Sequence, residues 1–330
     1  MKIVIPAAGQ GTRLQPHTFT RPKVMLPVAG RPIIGHILED VAELGADEIR
    51  LVVGYMGETV GEYAREAFPE LPIRLVWQQQ QLGLGHAVLQ AIEEGDSDPV
   101  LVVLGDTVFD VDYEAVVASE VHVLGVRQVP DPERFGIVEL DDSGERIVRL
   151  VEKPSDPPTD LALVGLYWVR DGEMLREAIA GLVDADVTTR GEYQLTDALQ
   201  RLIEAGEPFA PFEIGDWFDC GKPETLLSTN RALLDREPPD RHAEMHGAAA
   251  AIVPPVWIGK ECTVENAVVG PHVTLMDGAT VRNAVVSDSI LAAGSNVENT
   301  VLEGSIVGPD AVVAGRPLEV DVGDGSTLAC

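Results

Sequence analysis

Short apolar runs alternate with amphipathic stretches over the first 235 residues of the chain. Ile3 to Ile5, Ile49 to Val53, Ile73 to Trp77 and Val100 to Leu104 are brief and rich in branched aliphatic residues, so each predicts a strand. Between them Ile33, Ile34, Ile37, Leu38, Val41 and Leu44 fall on one face at the 3.6-residue spacing of a helix. Repeated strand–helix–strand units predict an α/β domain with a mostly parallel sheet and helices on both faces. Ligands of such sheets sit beyond the carboxyl ends of the strands, so the residues that follow each apolar run are where chemistry is expected.

The pattern breaks after Asp235 into REPPDRH and then GAAAA, which predicts a linker over 236–250 between a first domain at 1–235 and a second at 251–330. In the second domain apolar residues recur at Ile258, Val264, Val269, Leu275, Val281, Val286, Leu291, Val297, Leu302, Val307 and Val312, in steps of five or six. Glycine and other small residues stand between them, as in IGKECT, VGPHVT and VGPDAV. That period fits neither a helix nor loops. It predicts a short parallel β-helix, left-handed, with one apolar residue per flat face and between three and four coils.

Length agrees with two domains, the first large enough to bury a substantial core. No apolar run approaches the roughly 20 residues of a membrane span, and MKIVIP reads as a strand entering a glycine loop rather than a signal peptide, so a cytoplasmic protein without a membrane partner is expected. Cys220, Cys262 and Cys330 stand far apart with no C-x-x-C pair, which indicates neither a disulfide framework nor a zinc site. The 54 acidic against 24 basic residues give a net charge of −30, which argues against nucleic acid as a partner. A chain this acidic needs local positive charge or a divalent cation to hold a phosphorylated substrate. Any Arg or Lys beside a glycine loop gains weight accordingly.

Such a loop follows the first strand, in PAAGQGTRLQPHTFTRPKVMLP at 6–27. Gly9 and Gly11 let backbone N–H groups approach phosphate oxygens, and Arg13 and Lys23 can neutralise them. Leu14 stands where a dinucleotide fingerprint has its third glycine, and the G-K-[ST] of a P-loop is missing. Asp106 follows the apolar run at 100–104, and Asp219 lies in the segment WFDCG. A strand-end Asp alone reads more readily as a turn cap. As a pair over one crevice, the two carboxylates suit Mg²⁺.

With these motifs the chain resembles the sugar-1-phosphate nucleotidyltransferase family, whose signature loop is similar to AAGQGTRLQP followed by RPK. The likeness continues in order through QQQQLGLGHA (78–87), LGD (104–106), RFG (134–136), VEKP (151–154), RGEYQLTDA (190–198) and WFDCGKPE (217–224). Within the family it is similar to the long-form glucose-1-phosphate thymidylyltransferases, which also append hexapeptide repeats. The resemblance implies a Rossmann-like nucleotidyltransferase domain that uses Mg²⁺ to join a nucleoside triphosphate and a sugar-1-phosphate. It implies Arg13, Lys23, Asp106 and Asp219 as the catalytic set, with Asp106 and Asp219 on the metal. Ala8, Gly9, Gly11, Thr12, Gln78, Gln81 and Gly83 are implied for the nucleotide, and Gly136, Glu152, Lys153, Arg190 and Trp217 for the sugar phosphate. Thr107 stands where the family often has Asn after L-G-D, which affects the hydrogen bonding around Asp106.

Thymine, uracil and guanine donors, and glucose, N-acetylglucosamine or mannose phosphates, all stay open, with dTTP and glucose-1-phosphate the first choice. His86 reads as structural, since an ionised sugar phosphate needs no general base. The repeats contain one histidine, His272, too little to support acyl transfer. A non-catalytic homologue would have lost Arg13, Lys23, Asp106 or Asp219, and all four are present. The stacked coils, with open ends that need covering, predict a homo-oligomer.

Overall fold

The computed structural model describes residues 1–236 and 249–316. They form two compact units, one of Met1–Leu26 with Arg31–Thr225, the other of Pro27–Gly30 with the chain from Leu226 onward. Most of the expected linker, and residues 317–330 with Cys330, lie outside the described residues. In chain order the elements up to residue 236 are β1 (Lys2–Pro6), β2 (Pro27–Val28), β3 (Arg31–Pro32), α1 (Ile33–Val41), β4 (Glu48–Val53), α2 (Gly57–Ala67), β5 (Ile73–Trp77) and α3 (Leu84–Ala91). There follow β6 (Val100–Val103), β7 (Thr107–Asp110), α4 (Tyr113–Val117), β8 (His122–Gln128), β9 (Gly136–Leu140), β10 (Ile147–Glu152) and β11 (Leu161–Val169). The series ends with α5 (Gly172–Asp184), α6 (Leu195–Glu204), β12 (Phe209–Glu213), β13 (Asp216–Asp219) and α7 (Pro223–Arg236).

The first unit is built on a nine-stranded, Rossmann-like mixed sheet whose main path runs β10-β9-β11-β6-β1-β4-β5. Its parallel half is the one the apolar runs predict: Lys2 pairs with Glu48 and with Val100, and Ile49 with Ile73. β11 runs antiparallel to β6, β8 and β9, and β10 antiparallel to β9. Hydropathy alone cannot announce that reversal. A strand buried on both faces, such as LALVGLYWV at 161–169, carries the same unbroken apolar string in either direction.

α1 buries Ile33, Ile34, Ile37, Leu38 and Val41 as its spacing predicts, while Leu44 falls in a 3₁₀ turn that Gly45 ends at φ 62°. α3, α5 and α6 supply Val88, Leu175, Ile179 and Leu199 to the core beside Val4, Val100 and Leu124 of the sheet. Each such side chain, fully buried, contributes roughly 1.5–3 kcal/mol. Arg50 is also 2% exposed in β4, its guanidinium bonded to Glu48, to the Ala91 carbonyl and to Asp96, so its charge is matched inside the fold.

From Ala251 the second unit is a left-handed parallel β-helix of three sheets, each with four short parallel strands. Val264, Val269, Leu275, Val281, Val286, Leu291 and Val297 point inward and are buried, one per face. The last predicted face shifts by one residue: Val312 is 67% exposed, and Val313 packs on the core instead. The coils turn at residues with positive φ, among them Asn266, Asn283 and Asn299, which stack coil over coil with side-chain amide bonds of 3.4 and 3.2 Å. Asn tolerates this left-handed conformation better than most residues, which explains its recurrence at one corner. His272 occupies another corner, with Nε2 2.9 Å from Asp235 of α7. Cys220 and Cys262 are both buried, and they form no disulfide with each other.

Candidate active site

The parallel strands of the first unit deliver their following loops to one place. Ala7 N–H donates to Val52, Gln78 N–H to Val53, and Gly105 N–H to Pro6, so the loops after β1, β4, β5 and β6 are tied at their roots. Around them lies a cavity of about 390 Å³ lined by Ala8, Gly9, Lys23, Gln78, Gln81, Gly83 and Asp106, among others. Pockets of roughly 300–1,000 Å³ suit small molecules and cofactors. Gly11 does not line it. It holds φ 63° where a Cβ would stand 2.8 Å from Lys23 Cβ, so glycine there lets the loop close on the lysine stem. Thr12 and Arg13 begin a 3₁₀ turn on the exposed side of the same loop.

Lys23 is 6% exposed, and its ammonium donates to Asp106 Oδ2 at 2.6 Å. Burial would push the Asp106 carboxyl up, but the charge and hydrogen bond of Lys23, the Thr107 hydroxyl and the charge of Arg13 outweigh it and hold the group below the usual carboxylate range. Thr107, which differs from the common family residue, thus bonds the carboxylate directly, at 3.3 Å. Antiparallel pairing of β7 with β13 sets Asp219 opposite Thr107, and Cys220 N–H donates to the Asp106 carbonyl at 3.1 Å. The two aspartates, 113 positions apart in sequence, are brought together in this way, Asp219 at the end of β13 and Asp106 in the turn just before β7. A Cβ at Gly221 would lie 2.7 Å from Asp219 Oδ1 and 3.1 Å from Arg13 Nη2, so glycine leaves the carboxylate and the guanidinium side by side.

Among the described residues no three His, Cys, Asp or Glu side chains gather as a ready metal cage. Asp106 and Asp219 offer two carboxylates, a donor set that fits a hard cation whose other oxygens come from substrate phosphate and water.

The residues expected on a sugar phosphate form a second group. Glu152 accepts from the Thr196 hydroxyl at 2.7 Å and pairs with Lys153 Nζ at 3.0 Å. A Cβ at Gly136 would stand 3.1 Å from Glu152 Oε2 and 3.0 Å from Thr196 Oγ1, so glycine keeps that carboxylate uncovered. Arg190 Nη2 donates to the Lys153 carbonyl at 2.6 Å. Lys153 and Arg190 both hold positive φ, 42° and 56°, a conformation that costs a non-glycine residue of order 1 kcal/mol or more and collects at functional sites. Trp217 packs edge to face on Phe135, with centroids 5.2 Å apart, and its indole N–H is buried without an acceptor among the described residues.

Arg134, Thr196 and Glu192 lie in the motifs RFG and RGEYQLTDA but were not singled out from the sequence. Arg134 lies over the Phe135 ring and within 4.0 Å of Asp219, and its one sequence signal is its place in RFG. Glu192 lines the cavity, and the Tyr193 backbone beside it donates to Leu82 O and accepts from Gly85 N–H, which joins the loop after β5 to the RGEYQLTDA segment.

A family model described as nucleotidyl transferase matches residues 2–236. Over 345 residues the chain is 32% identical to a glucose-1-phosphate thymidylyltransferase of Streptomyces griseus, covering 96% of this chain and 94% of that one. It is 38% identical over 239 residues to a bifunctional protein GlmU of Methanococcus maripaludis, covering 72% of this chain and 55% of the relative. Among solved structures, a UDP-glucose pyrophosphorylase complexed with UDP-glucose superposes with a TM-score of 0.59 at 26% identity, over 72% of this chain and 99% of that one.

Proposed function

The chain belongs to the nucleotidyl transferase family as a sugar-1-phosphate nucleotidyltransferase, and from that premise we propose that it transfers a thymidylyl group from dTTP to glucose-1-phosphate. The observation that carries this choice is the likeness to a thymidylyltransferase along 96% of the chain, repeats included. A uridylyl donor is the second reading, favoured by the structural likeness to UDP-glucose pyrophosphorylase.

In this reading an ionised oxygen of the sugar phosphate attacks the α-phosphorus in line, a new P–O bond forms, and pyrophosphate leaves with the electron pair of the broken bond. Positioning and charge neutralisation carry such a step more than proton transfer. Lys23 faces the α-phosphate from the floor of the cavity, and Arg13 steadies the departing pyrophosphate from the exposed side. Lys153 and Arg190 hold the phosphate of the attacking sugar, and Glu152 accepts from its hydroxyls. Asp106 and Asp219 would hold Mg²⁺, which when bound neutralises triphosphate charge.

Asp106→Asn keeps the shape of the side chain but removes its charge, and pyrophosphate release is expected to fall by roughly a thousandfold, about 4 kcal/mol of transition-state stabilisation. Release at the wild-type rate would sink the metal assignment. A panel of nucleoside triphosphates against sugar-1-phosphates tests the substrate pair, and a best rate with a pair other than dTTP and glucose-1-phosphate would replace it.

A further inference from the structure

Gln78 is buried at 6% exposure and lines the cavity. Its amide nitrogen lies 3.2 Å from the Gly83 carbonyl oxygen and 3.0 Å from His86 Nδ1. A backbone carbonyl only accepts, so the atom beside it is the NH₂ and the orientation of the amide is fixed. One amide hydrogen goes to Gly83 and the other to His86, whose Nδ1 must then accept. That requires a neutral ring with its proton on Nε2; the Gln90 amide nitrogen, 3.4 Å away, also only donates, so the exposed Gln90 amide must turn its oxygen to that proton. Burial lowers the pKa of His86 and keeps the ring neutral at pH 7. Gln78 Oε1 is left as the polar atom of that side chain with no bonded partner among the described residues.

We propose that His86 is a positioning residue for nucleobase choice: by accepting from the Gln78 amide it holds Oε1 as the acceptor offered to the base. The site then takes bases that carry a ring N–H, as thymine and uracil do at N3 and guanine at N1. It turns away cytosine and adenine, whose corresponding ring nitrogen presents a lone pair to the same oxygen. The inference rests on the cavity being the nucleotide site. Removing His86 leaves a buried N–H without its acceptor and halves the restraint on the amide, which costs the discrimination but not the fold.

Isothermal titration of the wild type, His86→Asn and His86→Phe with the magnesium complexes of dTTP, UTP, GTP, CTP and ATP tests this without relying on turnover. The wild type is expected to bind the best N–H-bearing base at least ~10-fold more tightly than CTP or ATP. His86→Phe, which keeps a ring but no acceptor, should lose most of that ratio. His86→Asn, which restores an acceptor, should recover it. In steady-state assays KM for the nucleotide should rise in His86→Phe while KM for the sugar phosphate stays put. A His86→Phe protein with wild-type melting temperature and an unchanged ratio overturns the positioning role, as does an Asn variant no better than Phe. A wild type that prefers CTP or ATP overturns it too. If the wild type binds no nucleoside triphosphate at all, the functional reading falls, and this one with it.

Discussion

Gly11 shows how a single residue sets the site. Its φ of 63° and the 2.8 Å that a Cβ would leave to Lys23 make alanine costly twice over, in backbone conformation and in displacement of the lysine stem. Gly11→Ala is expected to cost about 1–2 kcal/mol from the left-handed backbone alone. Because Lys23 moves with it, kcat/KM for the nucleotide should drop about tenfold, as 1.4 kcal/mol of misplaced charge would give. Denaturant titration and steady-state kinetics check both, and unaltered kinetics would mean that the lysine does not depend on this packing. That Ala8, Gly9, Lys23, Gln78, Gln81 and Asp106 belong together was legible because their motifs follow apolar runs, and one cavity gathers those residues. Arg134 and His86 were not, since a lone Arg beside Phe or a His on a helix is chemically ordinary until its neighbours are known.

Between elements, the parallel core is fastened by charge as well as by apolar contact. Lys2 of β1 and Arg50 of β4 both pair with Asp96, which is 8% exposed in the turn after α3, the Arg50 contact measuring 3.0 Å. Burial alone would raise the Asp96 pKa, but the hydrogen bonds and charges of Lys2 and Arg50 pull it below the ordinary aspartate value. A carboxyl depressed in the folded state stabilises it at every pH above its unfolded pKa, and that contribution is lost as pH falls through the folded one. Asp96→Asn is therefore expected to destabilise by about 1.5 kcal/mol at neutral pH, because Lys2 and Arg50 lose a charged acceptor and keep Asp98 and Glu48 as their remaining carboxylates. The difference from wild type should shrink to nothing in the acid range below the folded pKa. Urea unfolding of both proteins across that range checks the sign, and a difference independent of pH would assign the loss to packing instead. None of this network shows in sequence: Lys2, Arg50 and Asp96 belong to three separate segments and meet only through the β1–β4 register.

For the whole molecule, self-repulsion from the net charge of −30 opposes association while exposed apolar surface favours it. On the repeat unit Val301 and Val312 are 72% and 67% exposed. Light scattering at micromolar concentration is expected to give a multiple of the monomer, with the larger species gaining as salt screens the repulsion over roughly 10 Å at 0.1 M and 3 Å at 1 M. Monomer at all salt concentrations would remove the oligomer from the picture. The sequence by itself determined what periodicity and local chemistry can carry: the α/β alternation, the hexapeptide coils with their inward valines, and the glycine loop with its cations. Those features depend on residues near one another along the chain, where spacing alone decides which face a side chain takes. Tertiary structure alone decided the antiparallel course of β10 and β11, the approach of Asp106 to Asp219 through the β7–β13 pairing, the Lys23–Asp106 pair, and the His86–Gln78 contact that leaves the amide oxygen without a bonded partner among the described residues. Strand direction, register and the matching of buried charges are settled by contacts between distant segments, which no local pattern encodes.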